Sequence, residues 1–169
     1  EEELKKQGCY HVKVHRVDEI QNRVIKNFKA YTCDEEYSVM DDFLEMDVIV
    51  FPLYPEDFAE AGKYLSKCLE KFYEIHPDRK LTMISITNKN YLIPEITEDF
   101  RKYLSDSAKE WFDSHVVVRD SIIRRSTDAE SNTAIDVDTV AVNSLLIQGP
   151  VNNDSVSYTH LRAHETAAN

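Results

Sequence analysis

Glycine, cysteine and long apolar runs are all scarce in this chain, and each scarcity excludes a class of protein. Three of the 169 residues are glycine, which leaves little material for the glycine-rich turns with which α/β enzymes hold phosphate groups. The three cysteines, Cys9, Cys33 and Cys68, form neither a disulfide framework nor a paired zinc-binding motif. We therefore expect a cytoplasmic protein, because a reducing compartment needs no disulfides.

Excess positive charge and segments of membrane length are missing as well. The formal net charge of −11 opposes binding to nucleic acids and to anionic membranes, since both require a basic surface. No apolar run approaches the roughly 18 residues that a membrane span needs, and no signal peptide is recognisable. We expect neither a nucleic acid nor a membrane as a partner.

The carboxyl-terminal segment has an unusual composition. Val156–Thr166 reads VSYTHLRAHET, which resembles one translated frame of a sequencing-library adapter. Residues 151–169 are therefore interpreted as a non-native or disordered tail and excluded from fold reasoning. His160 and His164 have the spacing of metal ligands on a helix, but this interpretation removes the meaning of that spacing.

Helical and strand patterns alternate along the rest of the chain. The segment DVIVFPLYP (Asp47–Pro55) reads as a buried strand that stops at proline. The patterns predict helices over Glu1–Gln7, Glu35–Glu45, Asp57–Ile75, Pro94–Trp111 and Asp136–Ile147, a loop over Arg119–Thr133, and strands over Tyr10–Val17, Val48–Phe51, Leu81–Thr87 and His115–Val118. Such alternation predicts an α/β domain, over residues 1–150, with a parallel sheet covered by helices on both faces.

The ends of the predicted parallel strands are the first place to look for a ligand. In open α/β sheets, ligands bind at the carboxyl ends of the strands. Pro52, Leu53, Tyr54 and Pro55 follow one strand, and the polar turn Asn88–Tyr91 follows the next. The prolines and the tyrosine make the first of these turns the leading candidate for part of a binding site.

Four segments resemble the flavodoxin-like fold and, more narrowly, the NAD(P)H-dependent FMN reductases and flavodoxin-family oxidoreductases. They lie within Glu1–Trp111 and are EEELKKQGCYHVKVHRVDE, Cys33 followed by Met40-Asp41-Asp42, Asp47–Tyr54 with its Pro-x-Tyr ending, and Ser85–Tyr91. The resemblance implies a doubly wound parallel sheet whose first strand and phosphate-binding loop would precede Glu1. The chain is accordingly interpreted as an incomplete, amino-terminally truncated domain.

The same resemblance implies a cofactor, a reaction and a set of contacts. The cofactor would be FMN, which passes hydride or electrons from NAD(P)H to a small-molecule or protein acceptor. Proteins of this group are often dimers, so the resemblance also implies a homodimer. The loops after the third and fourth strands would flank the flavin ring, which assigns cofactor contacts to Pro52, Leu53, Tyr54, Pro55, Asn88, Lys89, Asn90 and Tyr91. The second of these loops departs from the family pattern because it has no glycine.

Two other functions stay open. Asn88-Lys89-Asn90 after a buried strand is similar to the guanine-reading Asn-Lys-x-Asp motif of small GTPases, which makes a degenerate GTPase-like domain an alternative. Tyr91 occupies the acidic position, however, and no Asp-x-x-Gly motif is present. A non-catalytic α/β interaction or regulatory domain is the other alternative, because no Ser–His–Asp, metal or general-acid constellation is visible.

Overall fold

The computed structural model describes residues 2–87, 92–124, 127–128, 137–140 and 144–147. Its helices are α1 (Glu2–Gln7), α2 (Met40–Leu44), α3 (Phe58–Ile75), α4 (Ile93–Arg101) and α5 (Asp106–His115), with a 3-10 turn at Pro55–Asp57. Its strands are β1 (Tyr10–His15), β2 (Ile20–Ile25), β3 (Val48–Phe51), β4 (Leu81–Ile86), β5 (Val116–Arg124), β6 (Thr127–Asp128), β7 (Val137–Val140) and β8 (Ser144–Ile147). The described residues form two compact units, one from residues up to Asp34 with those between Arg124 and Ser144, and one from the remainder.

The first unit is a four-stranded mixed sheet in the order β2-β1-β7-β6. Helix α1 precedes it and ends at Gly8, which has a φ of 67° and donates its N–H to the carbonyl of Leu4. Strands β1 and β2 form an antiparallel hairpin that pairs His15 with Ile20, whereas β7 runs parallel to β1. Val14 is buried in this sheet, while Ile20 and Val24 on the edge strand are exposed.

The placement of Tyr10–Val17 in the parallel sheet is wrong. The strand exists, over Tyr10–His15, but it belongs to the mixed sheet of the first unit. Its alternation of polar and apolar residues is typical of a strand with one solvated face, as antiparallel sheets have, and not of a strand buried on both faces. The final helix predicted over 136–147 is also wrong, because β7 and β8 occupy it, as its β-branched residues favour.

The second unit contains the parallel sheet, in the order β3-β4-β5-β8. Strands β3, β4 and β5 are parallel, with Val48 paired to Thr82 and Leu81 paired to Val116. Helix α3 connects β3 to β4, and helices α4 and α5 connect β4 to β5. The unit is a mixed α/β structure with the arrangement of an incomplete wound sheet, so the predicted fold class is confirmed.

The core of this unit lies between the sheet and α3. One face of α3 is apolar and buried, and it packs with α2, α4 and α5 against one face of the sheet. The fully buried side chains there include Phe58, Leu69, Phe72, Leu81, Met83, Ile96 and Phe100. On the opposite face of the sheet, Val50 on the edge strand β3 is 47% exposed, whereas Thr82 and Ile84 on β4 are buried.

The helix predicted over Pro94–Trp111 is two helices, separated at Ser105. This residue has an extended ψ of 162°, and its hydroxyl accepts a hydrogen bond from the amide of Ala108 as the N-cap of α5. The Glu70 carboxylate on α3 accepts hydrogen bonds from the Ser105 amide and hydroxyl. A continuous apolar spacing through this region conceals the break, because both helices present apolar faces to α3.

Arg79 ties the start of β4 to the segment that precedes β3. Its guanidinium donates to the carbonyls of Leu44 and Glu45, which end α2, and to the Asp47 carboxylate, each at 2.9 Å. The planar fork of arginine suits this divergent set of acceptors, which a lysine could not satisfy together. These bonds hold the amino ends of β3 and β4 beside each other.

Substituting Gly62 tests how closely α3 and α4 approach. A Cβ atom at this position would lie 2.8 Å from the carbonyl carbon of Asp99 and 3.1 Å from the Cα of Phe100, both backbone atoms of α4. Gly62→Ala should lower the free energy of unfolding by about 2 kcal/mol through overpacking, although alanine favours a helix by about 1 kcal/mol.

The measurement is urea denaturation followed by the fluorescence of Trp111, the single tryptophan. Lys63→Ala, at the neighbouring exposed position, is the matched control and should change stability by less than about 0.5 kcal/mol. A Gly62→Ala protein as stable as the control would show that the two helices can separate at no cost.

Candidate functional site

The carboxyl ends of β3, β4 and β5 meet at one edge of the parallel sheet. Phe51, Ser85 and Asp120 stand in register across the three strands at this edge, on the face that the helices cover. The first is apolar and closes the core, whereas the other two are polar and buried. The chemistry of this edge therefore changes from apolar to polar along one row of side chains.

The turn after β3 leads from the buried side chain of Phe51 to the exposed ring of Tyr54. Phe51 is buried, and Leu53 packs against the core, while Pro52 is exposed. Tyr54 between them and α3 is 71% exposed, in an extended conformation with φ −78° and ψ 153°. Pro55 starts the 3-10 turn that leads into α3, and the two prolines restrict the backbone on either side of the tyrosine.

The start of α3 is acidic. Glu56, Asp57 and Glu60 occupy the 3-10 turn and the first turn of the helix. A helix amino terminus attracts anions, but here the protein's own carboxylates lie in that field. The start of α3 is therefore unsuited to holding a phosphate group, and an exposed aromatic ring beside it is suited to an uncharged planar group.

A buried carboxylate stands at the same edge, on β5. Asp120 is 3% exposed, and its Oδ2 accepts a 2.9 Å hydrogen bond from the amide of Leu92, the N-cap residue of α4. The positive end of the α4 dipole favours this anion. The next residue on β5, Ser121, donates its hydroxyl to the carbonyl of Ser85 on β4 at 2.7 Å. Strands β4 and β5 and the start of α4 are thus joined by polar contacts.

Two buried polar atoms at this edge have no hydrogen-bond partner among the residues that the structure describes. They are Oδ1 of Asp120 and Oγ of Ser85. The two residues are register partners on adjacent parallel strands, whose backbones lie roughly 4.8 Å apart. Buried polar atoms are ordinarily paired, and these two exceptions lie in one row at the carboxyl edge of the sheet.

Sequence reasoning missed Asp120 and Ser85. The signal available was the appearance of polar residues at the end of an apolar run, in ISIT and in VRDS. The predicted strand His115–Val118 stops short of Asp120, because the arginine and aspartate that follow look like a loop. The structure continues β5 to Arg124, which carries the carboxylate into the sheet.

The other predicted contacts cannot be placed. Asn88, Lys89, Asn90 and Tyr91 lie outside the described residues, as do His160 and His164. The first four follow β4 in the sequence, so their participation in the site stays a prediction. Of the predicted residues that the structure does describe, Pro52–Pro55 lie together at the carboxyl edge of the sheet.

Two residues with raised pKa values, Arg101 and Lys102, lie at the carboxyl-terminal end of α4. The pKa of Arg101 is raised, mainly by its hydrogen bonds to Asp113, and the pKa of Lys102 is raised, mainly by its hydrogen bond to Asp99. These pairs join α4 to α5 and stabilise α4 itself.

Within the described ranges, no three His, Cys, Asp or Glu side chains are grouped as a metal site. No helix in that part of the chain has both the length and the apolarity to cross a membrane.

The fold is similar to that of a known dehydrogenase. No protein-family model matches the sequence, and no curated protein matches it. Among solved structures, the crystal structure of a D-sorbitol dehydrogenase in substrate-free form is similar to this chain, with a TM-score of 0.72 and 12% sequence identity. The similarity covers 88% of this chain, which spans 40% of the length of that dehydrogenase. At this identity the similarity establishes the fold alone.

Removing the Ser121 hydroxyl tests the contact between β4 and β5. Ser121→Ala should lower the free energy of unfolding by about 1 kcal/mol, because the carbonyl of Ser85 loses a buried donor. Ser114→Ala is the control, since that exposed hydroxyl bonds the carbonyl of Glu110 within α5 and its loss should cost less than about 0.5 kcal/mol. Equal urea midpoints for both variants would contradict a structural role for the Ser121 contact.

Proposed function

We propose that this chain forms one half of the wound sheet of a nicotinamide-nucleotide-dependent dehydrogenase that oxidises a polyol. The observation that carries the proposal is the exposed Tyr54, held between two prolines at the carboxyl edge of a parallel sheet. Nucleotides bind at this edge in wound α/β sheets. The similarity in fold to a D-sorbitol dehydrogenase supports the choice of substrate class.

The free edge of β3 supports the location. In the described part of the sheet, β3 pairs with β4 on one side, and no strand lies on its other side. In a dinucleotide-binding sheet, the nucleotide lies where the strand order reverses, between the two halves. The residues after β3 would then be the ones nearest to that crevice, and Pro52–Pro55 are those residues.

The charge of this edge supports the proposal that this chain contacts a ring of the nucleotide and not its phosphate groups. The acidic start of α3 opposes a phosphate there, and none of the three glycines forms part of a Gly-x-Gly-x-x-Gly turn. The pyrophosphate would be held by the other half of the sheet, in the protein that contains this chain. We assign Tyr54 to contact a planar ring, because an aromatic side chain stacks on such a ring without needing charge.

Hydride transfer would be the chemistry of the nicotinamide itself. The contribution of this chain is to orient the ring through the turn after β3 and the start of α4. The order β3-β4-β5 occurs in both flavodoxin-like and dinucleotide-binding sheets, so it does not favour one cofactor. FMN rests on the sequence resemblance, and the nicotinamide nucleotide is preferred because the similar structure is that of a dehydrogenase.

The first experiment uses the natural protein that contains this chain. Titration with NADH and NADPH should quench its intrinsic fluorescence, and D-sorbitol should drive NAD⁺ or NADP⁺ reduction at 340 nm. A protein that takes up FMN and binds neither nicotinamide nucleotide would replace this proposal with the flavin oxidoreductase. A protein that binds none of the three would favour the interaction or regulatory domain.

Tyr54→Ala should weaken nicotinamide-nucleotide binding about tenfold, the equivalent of the ~1.4 kcal/mol of a good ring contact. Tyr54→Phe should keep the affinity within about twofold of the parent, since the ring remains. Tyr103→Ala is the matched control, because Tyr103 is 44% exposed in the turn between α4 and α5. Equal affinities for Tyr54→Ala and Tyr103→Ala would show that the ring of Tyr54 makes no contact with the nucleotide.

A further inference from the structure

Asp120 is a buried ionisable group for which the packing of the sheet offers no explanation. Its register partner is Ser85, and the pair two residues toward the amino ends of the strands, Val118 and Met83, lies in the apolar core. A carboxylate in this row must give up its hydration, which a hydrophobic side chain at the same position would not have to do. The position therefore has a polar task beyond filling the core.

The role of the Asp120 carboxylate is indicated by the one hydrogen bond that it makes with the described residues. Asp120 Oδ2 accepts from the amide of Leu92 at 2.9 Å, across 28 residues of sequence. Leu92 is itself buried and directly precedes α4. Its amide is one of those that a helix amino terminus leaves without an intrahelical acceptor. The carboxylate thus fixes where α4 begins relative to β5.

We propose that Asp120 is a positioning residue for the nucleotide site, acting through Leu92 on the start of α4. This inference rests on the proposed dehydrogenase function.

The position of α4 also affects the turn that carries Tyr54, through one aromatic contact. The ring centroids of Phe100 on α4 and Phe51 on β3 are 5.3 Å apart, so α4 packs against the end of the strand that leads into Tyr54. A shift in the start of α4 would disturb this aromatic contact, and with it the end of β3 that leads into Tyr54. Asp120 therefore acts on the site without touching the nucleotide.

The test compares Asp120→Ala with Asp120→Asn. The asparagine retains a side-chain oxygen for the Leu92 amide, whereas the alanine does not. Hydrogen exchange of the Leu92 amide, measured without ligand, should quicken about tenfold in Asp120→Ala relative to the Leu69 amide in α3, and by less than about threefold in Asp120→Asn. Nicotinamide-nucleotide affinity should fall about tenfold in the alanine variant and be largely rescued by the asparagine.

Asp113→Asn is the matched control, since Asp113 pairs with Arg101 at the other end of α4 and its loss should leave nucleotide affinity within about twofold. If Asp120→Ala does not fold, Asp120→Ser takes its place, because the serine hydroxyl is too short to reach Leu92 and creates a smaller cavity. Unchanged exchange at Leu92 in the variant that lacks the acceptor would overturn the anchoring role. Faster exchange with unchanged nucleotide affinity would overturn the link to the site.

The two proposals fail in distinguishable ways. If the parent protein binds no nicotinamide nucleotide, the proposed function is wrong, and the exchange experiment still decides whether Asp120 anchors α4. If the parent binds the nucleotide and Asp120→Ala binds it equally well, the function stands and the positioning role of Asp120 is wrong.

Discussion

The burial of α3 against the parallel sheet is the constraint on which the rest of the second unit depends. The helix must return the chain from the carboxyl end of β3 to the amino end of β4, because the two strands are parallel. Its buried face, with Phe58 at the start and Phe72 near the end, holds it along the sheet. Tyr54 is consequently left at the carboxyl edge, and Arg79 is left at the amino edge, where it bonds Asp47. The packing of α3 against the sheet therefore determines the location of the candidate site.

Charge decides what the site can hold. Carboxylates occupy the start of α3, and the buried Asp120 on β5 accepts a hydrogen bond from the amide that precedes α4. Both helix dipoles that point toward the edge are therefore already matched by the protein's own anions. A phosphate would have to displace or approach these carboxylates. An uncharged ring meets no such opposition, and Tyr54 presents an aromatic face to it. The electrostatics therefore support the proposal that this edge contacts the ring end of a nucleotide and not its phosphate end.

Much of the parallel sheet could be predicted from sequence, because its signals are local. The runs DVIVF and LTMISI are apolar on both faces, and the helical spacing of Phe58, Leu65 and Phe72 extends over several turns. The remainder depends on contacts between distant residues. Ser105 breaks a helix because Glu70, 35 residues away in sequence, accepts hydrogen bonds from its amide and hydroxyl. The pairing of β1 with β7 likewise joins segments that have no common signal in the sequence.

The candidate site was predicted in part for the same reason. Pro52–Pro55 could be found, since proline after a buried strand is a local signal of a turn at a strand end. Asp120 could not, because an aspartate in a polar stretch looks solvated until its partner is known. That partner is the backbone amide of Leu92, and an amide carries no residue-specific signal. A buried polar side chain that bonds to the backbone therefore cannot be predicted from residue types alone. Such a side chain can nevertheless fix the position of a helix beside the edge of a sheet.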